Sequence, residues 1–219
     1  MNGDHADPAT EPAAPAEPAL APEPAPRKRP PPGERRNQIL QTLATMLEQP
    51  GAERITTAAL AARIGVSEAA LYRHFASKAQ MYEGLIGFIE QSLFTLANQI
   101  AEREPDPARQ VQRILAMALQ FGEKNPGMCR VMAGDALVFE HERLAQRMSQ
   151  CLDRMESMLR QPCKALAEAR HHPSPTVDAQ ARASLALSLL LGRWQRYVRS
   201  GFKRPPTEHL EATLSILLA

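Results

Sequence analysis

A row of polar side chains between Tyr72 and Lys78 has the chemistry to hold nucleic-acid phosphates. The Tyr72 hydroxyl can donate a hydrogen bond, Arg73 is permanently charged, and His74 can donate from its ring. Lys78 follows Ser77 in a sequence that fits a capping box at the start of a helix. Because a helix N-terminus attracts anions, Lys78 beside it predicts a second phosphate contact.

Two short helices joined by a tight turn must position these side chains. Thr56 or Thr57 can cap the first helix with a hydroxyl. Gly65 supplies the positive φ that the turn needs, and Ser67 can cap the second helix. The inward faces follow helical spacing, with Leu60 and Ile64 in the first helix and Ala70, Leu71 and Phe75 in the second. This pattern predicts a helix-turn-helix, whose second helix enters the major groove of DNA.

The predicted DNA face consists of the side chains that point outward once the packed face of each helix has been assigned. An amphipathic helix over Glu34–Glu48 should support the pair, and Arg35 and Arg36 lie in its first turn, where the helix dipole disfavours cations unless an anion is near. From Arg27 to Lys78 there are nine Lys and Arg residues against four Glu residues, a basic segment suited to DNA. The predicted DNA-binding residues are Arg35, Arg36, Thr56, Thr57, Ser67, Ala69, Tyr72, Arg73, His74 and Lys78.

The start of the chain differs in composition from the rest. Residues 1–33 are mainly Pro, Ala, Glu and Asp, with too few large apolar side chains to offset the entropy of ordering. The sequence therefore predicts a disordered tail, whose end carries the basic run Arg27–Arg29. Two interpretations of this run stay open: an arm that follows the DNA backbone or minor groove, and a solubilising tail with a basic flank.

The remainder of the chain has the pattern of an all-α protein with about nine helices in total. We predict a helix-turn-helix domain of three helices over residues 34–80 and a helical dimerisation and partner-binding domain over residues 81–219, joined by a long helix from Ser77 to about Arg103. Later helices are predicted at 107–121, at 136–161, at 176–200 and at 207–218, with a loop at 168–175. A short helix that starts within residues 121–127 and runs through Ala133 is predicted between the first two. Pro162 should end or kink the helix before it. The last two apolar helices suggest the seam of a homodimer.

The motif around the DNA face resembles the TetR-like regulators. The matching residues are Thr57, Leu60, Ala61, Gly65, Val66, Ser67, Leu71, Tyr72, His74, Phe75, Ser77 and Lys78. The resemblance implies a DNA-binding dimer that forms between the last two helices. In the wider family the body holds a small-molecule inducer, so a ligand-released transcriptional repressor is the alternative function. The methionines of this chain favour plain core filling over such a cavity.

Three segments resemble one branch of that family, the nucleoid occlusion factors: Arg54–Lys78, Gly84–Leu93 and Phe121–Leu144. This implies binding, while on double-stranded chromosomal DNA, to the C-terminal tail of the tubulin-like division protein FtsZ, in a groove between the long helix and the next one. The partner-binding residues carried over by the resemblance are Phe88, Met117, Lys124 and Asn125. Leu96 and Gln120 depart from the branch, where Arg and Gly are expected. Lys124 replaces Arg, which exchanges a bidentate fork for a point charge.

Several other functions find no support in the sequence. There is no Gly-rich phosphate loop and no nucleophile with a recognisable base, so we predict no enzyme, catalytic residue or cofactor. The adjacent His171 and His172 lack a third ligand at suitable spacing, so no metal site is predicted. The three cysteines are expected to be reduced and at least partly buried in a cytoplasmic, nucleoid-associated protein. No apolar run is long enough to span a membrane.

Overall fold

The computed structural model describes Met1, residues 33–49 and residues 54–219. Apart from Met1 and Gly33, the predicted tail with its basic run Arg27–Arg29 lies outside the described residues, as do Pro50 and Gly51 after the first predicted helix. Within that part of the chain the regular structure is entirely helical, as predicted. The α-helices are α1 (Glu34–Leu47), α2 (Thr57–Ile64), α3 (Glu68–Tyr72), α4 (Lys78–Arg103), α5 (Pro107–Lys124), α6 (Pro126–Met132), α7 (Glu142–Ala169), α8 (Pro175–Arg199) and α9 (Leu210–Leu218).

Helices α1 to α3 form the predicted helix-turn-helix unit. The buried stripe of α1 is Ile39, Leu43, Ala44 and Leu47, at helical spacing. It packs against Leu60 and Ala61 of α2 and the side chains of Leu71 and Phe75, all members of one core cluster. The amphipathic pattern of the sequence is therefore enough to explain why these three helices associate.

Helix α4 joins this unit to the rest of the protein. Its buried residues are Met81, Tyr82, Leu85, Ile86, Ile89, Leu93, Phe94 and Ala97, which lie on more than one face. The helix packs on α1, α5, α6 and α7. The Ser77 hydroxyl caps its N-terminus as predicted, because it accepts from the Gln80 amide N–H. The Gln80 side chain accepts from the Ala76 N–H, one residue before the cap that a capping box would use. The expected role of α4 as the connecting element is confirmed.

Helix α6 approaches α1 very closely at Gly127. A Cβ atom added to Gly127 would lie 1.9 Å from the carbonyl oxygen of Ala44, so only glycine fits. One turn later Arg130, which is buried, donates to the Gln49 carbonyl at the end of α1 over 3.2 Å. Its Nε also lies 3.5 Å from the Asp135 carboxylate. These contacts fix the helix-turn-helix unit to the body of the protein.

The prediction for α7 was wrong at both ends. A short 3₁₀ turn, Asp135–Leu137, precedes the helix, which begins at Glu142 and not near Ala136. The helix also continues through Pro162 to Ala169. A proline inside a helix costs about 3 kcal/mol. The flanking residues Leu159, Cys163 and Leu166 are buried, and burial of each large apolar side chain contributes about 1.5–3 kcal/mol, which offsets that cost.

Helices α8 and α9 close the fold. Helix α8 packs along α7. Its residues Ala183, Ala186, Leu190 and Trp194 are buried. The loop between α7 and α8 is shorter than predicted, because α7 runs to Ala169. Helix α9 begins at Leu210 and not at Thr207, following His209, which has a φ of 53°.

Candidate nucleic-acid interface and partner groove

Helices α2 and α3 meet through local contacts that the sequence predicted. The Thr56 hydroxyl accepts from the Ala59 amide, and Thr56 is therefore the cap of α2. The Ser67 hydroxyl accepts from the Ala70 amide at the start of α3. Between them Gly65 adopts the left-handed conformation, with a φ of 75°, which a side chain would disfavour. The turn geometry of a helix-turn-helix is thus fully built.

The outward face of α3 carries the predicted polar row. Glu68, Ala69, Tyr72, Arg73 and His74 are all exposed, and Tyr72 keeps 45% of its surface accessible. Leu71 and Phe75, by contrast, are buried beneath this row. An exposed helix face on a packed base is what entry into a DNA groove requires.

A chain of hydrogen bonds orients Tyr72. Its hydroxyl donates to the Thr57 hydroxyl over 3.4 Å, and Thr57 donates to the Glu68 carboxylate over 2.6 Å. Thr57 therefore links α2 to α3 and does not cap, while its neighbour Thr56 does. The Tyr72 ring is held across both helices, where its edge can contact a phosphate or sugar.

The two arginines of α1 have different surroundings. Arg36 lies 4.2 Å from the centre of the Phe75 ring and donates to the His74 carbonyl over 3.3 Å. Its charge is therefore fixed at the end of the polar row. Arg35 donates to the Gln38 side chain in its own helix over 2.7 Å. The structure brings Arg36, but not Arg35, into contact with the recognition segment.

Lys78 does not point freely into solvent. Its ammonium forms an ion pair with Glu140, whose side chain is only 8% exposed, and it lies 5.7 Å from the Tyr82 ring centre. Burial, with Glu140 as a second cause, raises the pKa of the Tyr82 phenol. A phosphate contact by Lys78 stays a prediction, and it requires Lys78 to share or leave this carboxylate.

The segment before α7 supplies contacts that sequence reasoning missed. Phe139 is exposed, and the Arg54 guanidinium lies 5.5 Å from its ring centre, just ahead of α2. Its neighbour Glu140 holds Lys78. The sequence pattern placed both residues inside a helix, whereas they lie in a loop that touches the DNA-binding unit twice. An exposed aromatic beside an acidic residue was the available signal.

The predicted partner groove begins on the open face of α4. Phe88 and Leu96 remain 48% and 41% exposed, although both are large and apolar. One cavity of about 330 Å³ joins Phe88 to Leu40 of α1 and Met128 of α6. A second cavity of about 380 Å³ runs from Phe88 past Ser92 to Leu96. These cavities are therefore walled by α1, α4 and α6 and not by α5, and the predicted groove between α4 and α5 stays a prediction.

The other predicted partner residues lie around the junction of α5 and α6. Lys124 is exposed in the last turn of α5, and Asn125 caps this helix and donates to the Phe121 carbonyl over 2.8 Å. Met117 is partly buried against the core. None of these three residues lines the two cavities, but Asn125 begins α6, the helix that carries Met128.

The remaining candidates for chemistry are buried thiols. Cys129, Cys151 and Cys163 are free, and burial raises their pKa values, to about 12 for Cys129 and about 11 for the other two. Among the described residues no group of three or more His, Cys, Asp or Glu side chains could hold a metal ion. In the same residues, none of the helices combines the length and hydropathy of a membrane span.

Comparison with known proteins gives consistent matches along most of the chain. Residues 39–85 match the bacterial regulatory proteins of the tetR family, and residues 106–219 match a tetracyclin repressor-like C-terminal domain of SlmA-like type. The chain is 49% identical over 183 residues to the nucleoid occlusion factor SlmA of Idiomarina loihiensis, covering 84% of this chain and 93% of that protein. It is 50% identical over 177 residues to the SlmA of Shewanella loihica, covering 80% and 88%.

The fold also resembles solved structures of low sequence identity. A transcriptional regulator from Rhodococcus superposes with a TM-score of 0.68 at 24% identity, over 84% of this chain and 93% of that one. At this sequence identity the similarity supports only the fold, which is a helix-turn-helix unit followed by a helical body.

Proposed function

The chain belongs to the SlmA nucleoid occlusion factors of the tetR family, and we propose that it binds FtsZ while on chromosomal DNA and so blocks division-ring assembly over the nucleoid. In this proposal residues 34–80 bind DNA, and residues 81–219 form the dimerisation and partner-binding domain. The protein acts in the cytoplasm, on the nucleoid.

One observation carries the link between DNA and partner. The cavity beside Phe88 is walled on one side by Leu40 and Gln41 of α1, the helix that also supports the recognition pair. A shift of α1 on DNA would therefore change the shape of the cavity directly. Two ligands that favour the same arrangement of a shared element bind cooperatively, typically by 1–3 kcal/mol.

The DNA contacts in this proposal come from the exposed row on α3 and from its neighbours. Tyr72, Arg73 and His74 face outward, and Arg36 adds a fixed charge at the end of the row. Most of these groups suit phosphates, which position a protein on DNA. Sequence is then read through Ala69, by shape and by contact with thymine methyl groups, while Tyr72 contacts the phosphates or sugars.

The FtsZ contacts combine apolar surface with charge. Phe88 and Leu96 offer open apolar area, and Lys124 places a cation near the start of α6. An extended acidic peptide with apolar side chains fits such a surface, because pockets hold the apolar groups and the cation favours carboxylates. Leu96 makes the groove more apolar than an arginine would.

Dimerisation would cover the outward faces of α8 and α9. Leu185 and Ile216 are exposed there, although the opposite face of each helix is packed into the core. A two-fold contact between two helices of each subunit buries such faces in a four-helix arrangement. The dimer would then present two recognition helices to half-sites about one helical turn, or a multiple of it, apart.

The alternative of a ligand-released repressor receives less support. Met148 and Met155 of α7 are buried within the continuous core cluster, as residues that fill a core are. Anisotropy titration of a labelled FtsZ C-terminal peptide, with and without operator DNA, tests the proposed function. We expect binding in both states and an affinity about 5- to 150-fold higher with DNA, from the coupling range above. No binding in either state would leave the repressor as the better interpretation.

A further inference from the structure

A cationic cleft lies between α4 and α7, next to the partner groove. It has a volume of about 380 Å³ and is lined by Glu90, Phe94, Asn98, Arg147 and Arg154, among others. Two arginines against one glutamate leave it with a surplus positive charge. Neither the DNA face nor the partner residues predicted from the sequence use this cleft.

The two guanidinium groups are held in place by the same carboxylate. Arg147 and Arg154 each contact a different oxygen of Glu90 over 3.1 Å. Arg154 also lies 4.1 Å above the Phe94 ring, which fixes its plane. Among the described residues Glu90 is the only carboxylate that pairs with two arginines. Such an arrangement reduces the entropy that the arginines lose when another anion binds.

Both arginines keep hydrogen-bonding capacity for a ligand. Their side chains are 47% and 59% exposed, and a guanidinium has five N–H donors. A single glutamate cannot satisfy all of them. The free donors are arranged in forks that match the two oxygens of a carboxylate.

The cleft is continuous with the partner groove. Gln91 and Thr95 line this cleft and also the cavity that runs from Phe88 to Leu96. A chain segment lying over Phe88 and Leu96 would therefore reach the arginines without leaving the surface of α4.

DNA phosphates are a poor match for this cleft. Phe94 lies sixteen residues after Lys78 in α4, which corresponds to about 24 Å along the helix axis at 1.5 Å per residue. Arg154 lies at that level, over Phe94, and Arg147 pairs with Glu90, which is about 18 Å along the helix from Lys78. A peptide in the groove is within reach, whereas a duplex held by α3 is not.

We propose that this cleft is a carboxylate-binding subsite for an acidic peptide whose apolar side chains occupy the Phe88–Leu96 groove. Arg147 and Arg154 bind the acidic side chains at one end of that peptide, and Glu90 orients both arginines. This proposal rests on the proposed function, because it extends the same groove to a further contact.

The test compares Arg147→Gln and Arg154→Gln with the unchanged protein, using three labelled peptides. These are the FtsZ tail, the same tail with its acidic residues replaced by amides, and an unrelated acidic peptide with apolar residues.

For the native tail we expect about a fivefold loss of affinity per variant, near the upper limit for an exposed ion pair. The amidated tail should bind both variants as it binds the parent, which also shows that the groove is intact. Arg160→Gln is the matched control, since Arg160 lies on the same helix and pairs one-to-one with Glu156.

The outcomes separate the two proposals. Equal affinity of parent and variants for the native tail overturns the subsite. A matching loss of operator affinity in both variants also overturns it, because the cleft would then contact DNA. If the FtsZ tail fails to bind the parent while the unrelated acidic peptide binds and needs the arginines, the subsite stands and the FtsZ proposal fails. If neither peptide binds the parent, both proposals fail.

Discussion

The proposed DNA face and the proposed partner groove are built from the chain in different ways. Apart from Arg36 of α1, the proposed DNA face is made by a continuous segment from Arg54 to Lys78, in which caps and one turn set each helix. The groove combines Leu40 of α1, Phe88 of α4 and Met128 of α6, which are far apart in sequence. The first surface depends on bonds between near neighbours, and the second depends on how whole helices pack.

This difference determines how each surface should respond to change. A substitution on α3 removes a ligand contact and leaves the packing beneath it intact, because the row is exposed and its base is buried. A change in the packing of α1, α4 or α6 alters the shape of the groove and also the support of α3. The two functions should therefore be separable by surface variants and inseparable by variants at the shared joint.

The largest effect is expected from Gly127→Ala at this joint. The added methyl would overlap the Ala44 carbonyl, so α6 must move away from α1. We expect a loss of about 3 kcal/mol of unfolding free energy, at the upper end of ordinary overpacking. Urea unfolding measures this loss, and both DNA and FtsZ affinities should fall together.

Gly87→Ala provides the matched control. Gly87 lies inside α4, and a Cβ atom there meets nothing within 4 Å. Alanine favours a helix over glycine by about 1 kcal/mol, so this variant should be unchanged or slightly more stable. If Gly127→Ala retains parental stability, α1 and α6 are not tightly joined and the shared-wall argument fails.

The next largest effect is expected from Lys124→Glu, which should weaken binding of the FtsZ tail without weakening binding of DNA. Lys124→Glu replaces an attraction to an acidic tail by a repulsion, and at an exposed site each contributes up to about 1 kcal/mol. We expect FtsZ-tail affinity to fall by up to about 30-fold, by the usual conversion of free energy to affinity. DNA affinity should stay within a few-fold. Fluorescence anisotropy against both ligands measures this, with Lys203→Glu as a control for net charge.

If Lys124→Glu binds the FtsZ tail as tightly as the parent, the groove has been placed wrongly. Equal losses for Lys124→Glu and Lys203→Glu would point instead to a general effect of charge on an acidic peptide. Either result would remove Lys124 from the partner site.

The same contrast explains which parts of the structure could be predicted from sequence. Gly65 and Ser67 act within a few residues of themselves, so their roles follow from spacing alone, whereas spacing left Thr56 and Thr57 as alternative caps. The course of α7 through Pro162 does not, because the helix is maintained by packing on α8 that no local rule contains. Leu40 and Met128, which line one cavity with Phe88, were missed for the same reason. Their position around that cavity depends on the close approach of α1 and α6.

A smaller loss is expected for the DNA face at Tyr72. Tyr72→Ala removes both the ring and the hydroxyl from the exposed row, and we expect about a tenfold loss of DNA affinity that is similar for all sequences. Tyr72→Phe keeps the ring but loses the bond to Thr57, and it should fall between Tyr72→Ala and the parent. Both variants should still bind the FtsZ tail in the absence of DNA. Unchanged DNA affinity for Tyr72→Ala in a low-salt titration would remove α3 from the interface.

The smallest effect concerns Lys78, where the two regions touch. Glu140 holds the Lys78 ammonium in the free protein, so a DNA phosphate must compete with this carboxylate. In Glu140→Gln the charge of Lys78 is no longer neutralised. We expect DNA affinity to rise about threefold and the dependence of log affinity on log salt to steepen by about one, as for one added phosphate contact.

Lys78→Ala should lower DNA affinity and make its salt dependence shallower. Glu142→Gln removes an exposed acid at the start of α7 and serves as the charge control. If Glu140→Gln instead weakens DNA binding while Lys78→Ala leaves it unchanged, Lys78 serves to fix the loop before α7 against α4. The DNA contacts then lie with Arg36 and the α3 row alone.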